Sequence, residues 1–207
     1  MLDQSTYHGR DRLRALKGEA ANTGQAMQNE RSRFDALDTE AAKPVAVSSF
    51  NLFPTPPEIA AQMVRLAAME NGFSVLEPSA GTGRLLEALP EVEHITAVEI
   101  NQQLANLLAD KAAEVHCRDF LSCTPEELGT FDRVIMNPPF QRGTDIKHIK
   151  HALEFVKPGG RLVALCANGP RQNEQLKPLA DSWEVLPEGS FRSEGTGVSV
   201  AMLAIDR

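Results

Sequence analysis

Leu76-Glu77-Pro78-Ser79-Ala80-Gly81-Thr82-Gly83-Arg84 is the stretch that decides the fold. It joins a short apolar run, Ser74–Leu76, to a segment of helical character, Arg84–Leu89, through a turn of small residues. Glycines let backbone approach a ligand closely, and a loop feeding a helix N-terminus aims several N–H groups at one point. Three features narrow what binds there. The Gly-x-x-x-x-Gly-Lys-[Ser/Thr] phosphate loop is absent, which argues against a nucleoside triphosphate. The third glycine of the dinucleotide fingerprint is also missing, because Leu86 occupies its place. Glu77 stands just before the glycines, where a carboxylate repels phosphate and attracts an ammonium group. A zwitterionic amino acid therefore suits this loop better than a pyrophosphate.

Working outward, short apolar runs alternate with helical segments. The runs are Ser74–Leu76, Ile95–Val98, Glu114–Cys117, Arg133–Met136, Arg161–Cys166, Trp183–Leu186 and Val198–Ile205. Helices are expected over Arg84–Leu89, Gln102–Lys111, Ile146–Phe155 and Gln172–Ala180. Such alternation predicts a parallel sheet covered by helices on both faces. The last two runs are joined by a Gly-rich loop, Gly189–Gly197, with no helix, so one antiparallel edge strand is expected. The fold class is thus α/β, a Rossmann-like, seven-stranded, mostly parallel sheet. Upstream, Thr55-Pro56-Pro57-Glu58 reads as a helix start with Thr55 as cap, followed by a helix over Glu58–Met69. Residues 1–49 are polar and poor in large apolar side chains; they read as a helical or partly disordered arm, with the main domain spanning residues 50–207.

In open α/β sheets a ligand binds beyond the carboxyl ends of the strands. Val98-Glu99-Ile100 ends the second run, about twenty residues after the glycines, where a carboxylate accepts from both hydroxyls of a ribose. Ile100 is then placed to pack on an adenine face. The third run ends at Asp119-Phe120, offering Asp119 to an adenine amino group and Phe120 for stacking. The fourth ends in Asn137-Pro138-Pro139-Phe140. Two prolines make a stiff, extended turn with few donors, leaving the Asn137 side-chain oxygen and the Pro138 carbonyl to accept from an amine. Phe140 offers a stacking surface. Two acceptors on an exocyclic amine pull its nitrogen toward tetrahedral geometry and aim its lone pair at an electrophilic methyl group. Positioning and electrostatics suffice for such a transfer.

The composition excludes several classes. With 207 residues, 42% apolar and 24% charged, the chain has the makeup of one globular α/β domain. No run approaches the roughly 18 apolar residues of a membrane span, and the start lacks a signal-peptide pattern, so a cytoplasmic protein is expected. Three cysteines without a Cys-x-x-Cys pair suggest no metal site and no disulfide framework; Cys117 and Cys166 read as small buried hydrophobes. The net charge of −7 does not suit a protein coated for gripping nucleic acid. Acidic residues outnumber basic ones over residues 44–136, however, and the balance reverses over residues 137–192. A polyanion would approach the second half, with Arg142, Lys147, Lys150, Arg171 and Arg192 as backbone contacts.

Residues 50–140 resemble the core of gamma-class adenine-N6 DNA methyltransferases, in the same motif order. Phe53-Pro54-Thr55-Pro56-Pro57 resembles the segment that touches the methionine end of S-adenosylmethionine. Glu77, Pro78, Ser79, Ala80, Gly81 and Gly83 fall in the first cofactor motif, Glu99 and Ile100 in the second, Asp119 and Phe120 in the third. The resemblance implies that Asn137, also beside the cofactor, and the proline carbonyl hold the target amine. It implies that Phe140 stacks on a flipped base, with Phe191 as a second aromatic beside it. The seven strands with a terminal hairpin match the class I methyltransferase arrangement. Restriction-type members carry a target-recognition domain that this sequence does not show, so high sequence specificity is expected only where a partner protein supplies it, and non-specific modification suits a bare core. The sequence-based expectation is an N-methyltransferase acting on nucleic acid, DNA favoured over RNA. The alternatives are ribosomal RNA adenine-N6 or guanine-N2 methylation, protein glutamine N5 methylation, and an inactive cofactor-binding subunit.

Overall fold

The computed structural model describes residues 53–207; the N-terminal arm read from sequence lies outside them. The described elements, in chain order, are α1 (Pro57–Ala67), β1 (Ser74–Pro78), α2 (Arg84–Ala88), β2 (His94–Val98), α3 (Gln102–Leu107), β3 (Glu114–His116), α4 (Pro125–Leu128), β4 (Phe131–Met136), α5 (Thr144–Ala152), β5 (Val156–Ala167), α6 (Pro170–Gln175), β6 (Ser182–Val185) and β7 (Val200–Asp206). The strands form one sheet in the order β3-β2-β1-β4-β5-β7-β6. Strands β1 to β5 are parallel to one another, and β7 runs antiparallel to both β5 and β6. The expected antiparallel edge is therefore a pair, with β6 outermost and β7 inside it. Burial explains that placement: β7 is buried along all but its last residue, whereas no residue of β6 is fully buried.

Period-two alternation sends the strand side chains to two cores. Val134, Met136, Leu162 and Ala164 face one side, with Phe120, Ile149, Phe155 and Leu203. Ile135, Val163 and Leu165 face the other, with Ile59, Met63, Phe191 and Met202. Helix α1 covers the second side, and its end is closed by Arg133, whose Nε donates to the Ala67 carbonyl at 2.5 Å. At the same end of β4, Lys157 Nζ and Ser74 Oγ meet Asp132 Oδ2 at 2.8 and 2.7 Å, tying β1, β4 and β5 together.

Several boundaries differ from the sequence reading for local reasons. Pro56, not Thr55, is the N-cap of α1, and no side chain caps it. The expected helix over Gln172–Ala180 stops at Gln175 and continues as a 3-10 turn over Lys177–Leu179, because Pro178 has no N–H to extend the ladder. Helix α4 was not expected, although Thr124 and Glu127 form a reciprocal capping box that is visible as a pattern. Cys117 is exposed rather than buried, since β3 ends before it at His116; Cys166 is buried as expected. Among the described residues, no helix is long and apolar enough to cross a membrane.

Candidate active site

Strand order reverses between β1 and β4, and the carboxyl ends of β1, β2 and β4 border one cavity of about 330 Å³. The loop after β1 is shaped by left-handed backbone at Ser79 (φ 66), Gly81 (φ 57) and Gly83 (φ 77). Gly83 has a second reason to lack a side chain. A Cβ there would lie 2.8 Å from Leu108 Cδ2 and 3.0 Å from Lys111 Cδ. Beneath the loop, Glu77 is buried and its Oε2 has no hydrogen-bond partner. Burial pushes its pKa well above the ordinary carboxyl value; the Leu86 amide lowers it, the nearby Glu99 charge raises it and Lys111 lowers it. A buried carboxyl with an open oxygen is a natural partner for an ammonium group. A smaller cleft of about 30 Å³ beside it is lined by Glu77, Thr55, Thr82 and Asn137.

Glu99 stands at the end of β2 with its carboxylate already oriented. Its Oε2 accepts from Gly81 N at 2.7 Å and its Oε1 from Asn101 N at 2.8 Å. Each oxygen keeps a further lone pair for a ribose hydroxyl. Ile100 is 68% exposed and lines the cavity, presenting an apolar face for a planar ring. Asp119 also lines it, with Oδ1 accepting from Leu121 N at 3.0 Å. Ammonium, ribose and planar-ring partners are those of S-adenosylmethionine, so the residues fit that cofactor.

Asn137 follows β4, and its side chain is held by the segment before α1. Nδ2 donates to the Phe53 carbonyl at 3.0 Å and to Thr55 Oγ1 at 3.1 Å. A carbonyl can only accept, so the amide cannot be turned over, and among the described residues Oδ1 is left as the open acceptor. Pro138, Pro139 and Phe140 continue along the cavity wall.

The expected residues divide into three groups. Ser79, Gly81, Glu99, Ile100, Asp119 and Asn137 converge on the main cavity, with Glu77 and Ala80 at the smaller cleft. Pro78 and Gly83 shape the loop without lining the main cavity. Phe120 borders it but is only 2% exposed; its ring packs among His148, His151 and Phe155, so it stands in the core rather than free to stack. Phe191 is a correction. It is 1% exposed in the α1-side core, and Phe140 packs against that same core, so Phe191 lies behind the site and not on a target base. Arg142 and Arg192 are both exposed, Arg142 in a left-handed turn (φ 54) two residues beyond Phe140. Sequence reasoning missed His148, which lines the cavity from α5 and whose Nδ1 lies 3.2 Å from Ser79 Oγ. It also missed Arg118, whereas Phe53, which lines the cavity too, stands in the segment the resemblance had placed beside the cofactor. The one available signal for His148 was a polar residue on the buried face of an amphipathic helix.

The chain is similar to several known proteins. The chain is 22% identical over 151 residues to the rRNA N(6)-adenosine-methyltransferase metl-5 of Caenorhabditis elegans, covering 64% of this chain and 70% of that protein. It is 32% identical over 78 residues to the tRNA1(Val) (adenine(37)-N6)-methyltransferase of Enterobacter sp. (strain 638), covering 32% of each. The crystal structure of TrmN from Thermus thermophilus superposes with a TM-score of 0.59 at 22% identity over 73% of this chain, which spans 48% of that one and shows a common fold. The family model described as "Methyltransferase small domain" matches residues 70–190. With its cavity suited to S-adenosylmethionine, this chain belongs to the methyltransferase small domain family.

Proposed function

We propose that this protein transfers a methyl group from S-adenosylmethionine to the N6 amino group of adenine in RNA, with residues 50–207 as the transferase domain and residues 1–49 as an appended arm. The observation that carries this reading is the Asn137 amide. With both hydrogens committed to Phe53 and Thr55, its oxygen accepts from an incoming amine and cannot swing into a donor role. The cofactor supplies an electrophilic methyl on a sulfonium. Asn137 Oδ1 and the Pro138 carbonyl would accept hydrogen bonds from the amine's two N–H groups, turning the nitrogen lone pair out of the ring plane toward the side where the methyl would be presented; the amine's surplus proton would leave to solvent. Phe140 supports the ring of the target base, held from behind by the core that contains Phe191.

The expectation of DNA gives way to RNA because the curated relatives are named for ribosomal and transfer RNA adenines. Surface charge supports a polyanion at this face. Arg142, Lys147, Lys150, Arg171 and Arg192 are exposed, and among the described residues none is in an ion pair. A side-chain carbon on Gly143 would lie 3.7 Å from Arg171 Nη1, so Arg171 adjoins the turn that carries Arg142.

The test is methyl-labelled cofactor offered to ribosomal RNA, transfer RNA, double- and single-stranded DNA and a protein extract, with Asn137→Ala alongside. Label recovered as N6-methyladenine in RNA, and lost in the variant, supports the reading. Label only in DNA or in glutamine of protein would keep the fold's chemistry and overturn the substrate. Label on guanine N2 would overturn the base.

A further inference from the structure

His148 belongs to none of the motifs, yet it is among the most confined groups in the cavity. It is 6% exposed, its ring lies 5.9 Å from that of Phe120, and its Nδ1 lies 3.2 Å from Ser79 Oγ. Ser79 holds a left-handed backbone that L-residues rarely adopt, so its hydroxyl contact helps to keep the loop after β1 in shape. Helix α5 is itself fixed against sliding. Asp145, fully buried one turn before His148, accepts from Ala167 N at 3.0 Å and from Gln172 Nε2 at 2.9 Å. The fold thus delivers one imidazole to the wall of the cofactor cavity and holds it there.

We propose that His148 is a positioning residue that, as the neutral imidazole, clamps Ser79 and lets the cavity accept the cationic sulfonium cofactor, and that, once protonated, it shifts preference toward the uncharged thioether product. The cofactor carries one net positive charge that the demethylated product lacks. A cation built into the wall of a cavity of about 330 Å³ repels the first and leaves the second nearly unaffected. Burial pushes the His148 pKa below the ordinary imidazole value, Asp119 raises it from the end of β3, and His151 on the same helix lowers it. Arg118 after β3 and Glu99 after β2 are the other charged groups lining the cavity. At neutral pH the imidazole is therefore uncharged, and acidification is what alters the discrimination. The inference depends on the cofactor and not on which acceptor receives the methyl group.

The experiment is calorimetric titration of the full chain with S-adenosylmethionine and, separately, S-adenosylhomocysteine, at about pH 7.5 and at a pH below the His148 midpoint that imidazole NMR reads. Wild type is compared with His148→Asn, whose amide can still bond Ser79 but cannot titrate, and with His148→Ala. In wild type the Kd of the sulfonium relative to the thioether rises about fivefold on acidification, the size expected for two unit charges in a partly screened cavity. In His148→Asn the ratio stays constant with pH, because the amide can still bond Ser79 but does not titrate. His148→Ala weakens both ligands at both pH values. An imidazole NMR titration of the wild-type apoprotein, which needs no variant, places the His148 midpoint below the free value. A flat ratio in wild type, or the same rise in His148→Asn, would overturn the charge discrimination. Wild-type affinity in His148→Ala would overturn the clamp. Because binding is read without any methyl acceptor, neither result depends on whether RNA is the substrate.

Discussion

Replacing Thr55 by valine removes one hydroxyl at nearly constant shape and tests whether the orientation of Asn137 matters for methyl transfer. Thr55 Oγ1 takes one of the two hydrogen bonds that hold the Asn137 amide, at 3.1 Å, and the Phe53 carbonyl takes the other at 3.0 Å. A neutral hydrogen bond in such a partly buried place contributes about 1 kcal/mol, with up to about 2 kcal/mol when its loss strands a buried donor. Losing that restraint lets the amide leave its reactive setting, which slows transfer about 5- to 30-fold. Asn137→Ala, which removes the acceptor itself, costs about 100- to 1000-fold, by analogy with deleting one electrostatic group of an active site. The assay is single-turnover methyl transfer at saturating cofactor, paired with calorimetric binding of the cofactor. The transfer step should slow in Thr55→Val while cofactor affinity changes less than about twofold. If affinity falls in proportion and the saturated rate does not change, Thr55 serves the cofactor's amino-acid end through the small cleft, and the reasoning about Asn137 is refuted.

Glu77→Gln should stabilise the apoprotein at neutral pH, raising Tm by about 3 °C, and weaken cofactor binding by about tenfold or more. Burial raises the folded pKa of Glu77, so the cost of its buried charge is full above that pKa and fades as pH falls from it toward the unfolded value of about 4. Melting curves of wild type and variant should therefore converge on acidification, and parallel curves at every pH would contradict this. Gly83→Ala combines a φ of 77 with a carbon 2.8 Å from Leu108 Cδ2, and should cost about 2 kcal/mol in urea denaturation together with a loss of cofactor binding. Asp132→Asn should cost about 1 kcal/mol at neutral pH, discounted for partial solvent screening. Partial burial raises the Asp132 pKa, but Lys157 and Ser74 outweigh it and hold the carboxyl down to about 2. Its depressed pKa means the stabilisation is complete above the unfolded value near 4 and is lost as pH falls through about 2, so the gap between wild type and variant should close over that interval. A gap that stays constant down to acid pH would show that the ion pair is not its source.

Much of the site was legible because it is local. Glu77, the glycines, Glu99, Ile100 and Asp119 all sit at strand ends, and a strand end is found from the apolar run before it. Asn137-Pro138-Pro139-Phe140 was legible for the same reason, and because two prolines constrain backbone whatever surrounds them. What failed to show was which way a side chain turns once elements pack. Phe120 and Phe191 carry rings suited to stacking, and nothing nearby in sequence says that they fill the cores on either side of the sheet. Thr55 fits a helix cap by pattern, but Pro56 takes that place and the hydroxyl is left for a residue 82 positions away. His148 was hidden because its partner, Ser79, is 69 positions distant, and the contact exists only after α5 has docked on β5. The placement of β7 was likewise half readable: the Gly-rich loop announced a reversal, and burial along β7 decided which of the two strands lies inside.

That placement bears on how the chain is made. Strand β5 is twelve residues long and pairs with β4 on one side and with β7 on the other. On the ribosome it emerges with only the first of those neighbours, and β6 emerges with none, since its one sheet partner is the later β7. An apolar edge thus waits in solvent for its mate, which is the condition under which strands of different nascent chains associate. Closure comes late, when Arg207 N donates to the Gly160 carbonyl and Asp206 meets Arg161, locking the far end of the β5–β7 ladder. The cofactor loop can fold early from its own neighbours, so during synthesis the chain is most vulnerable at the sheet's far side and least so at the site.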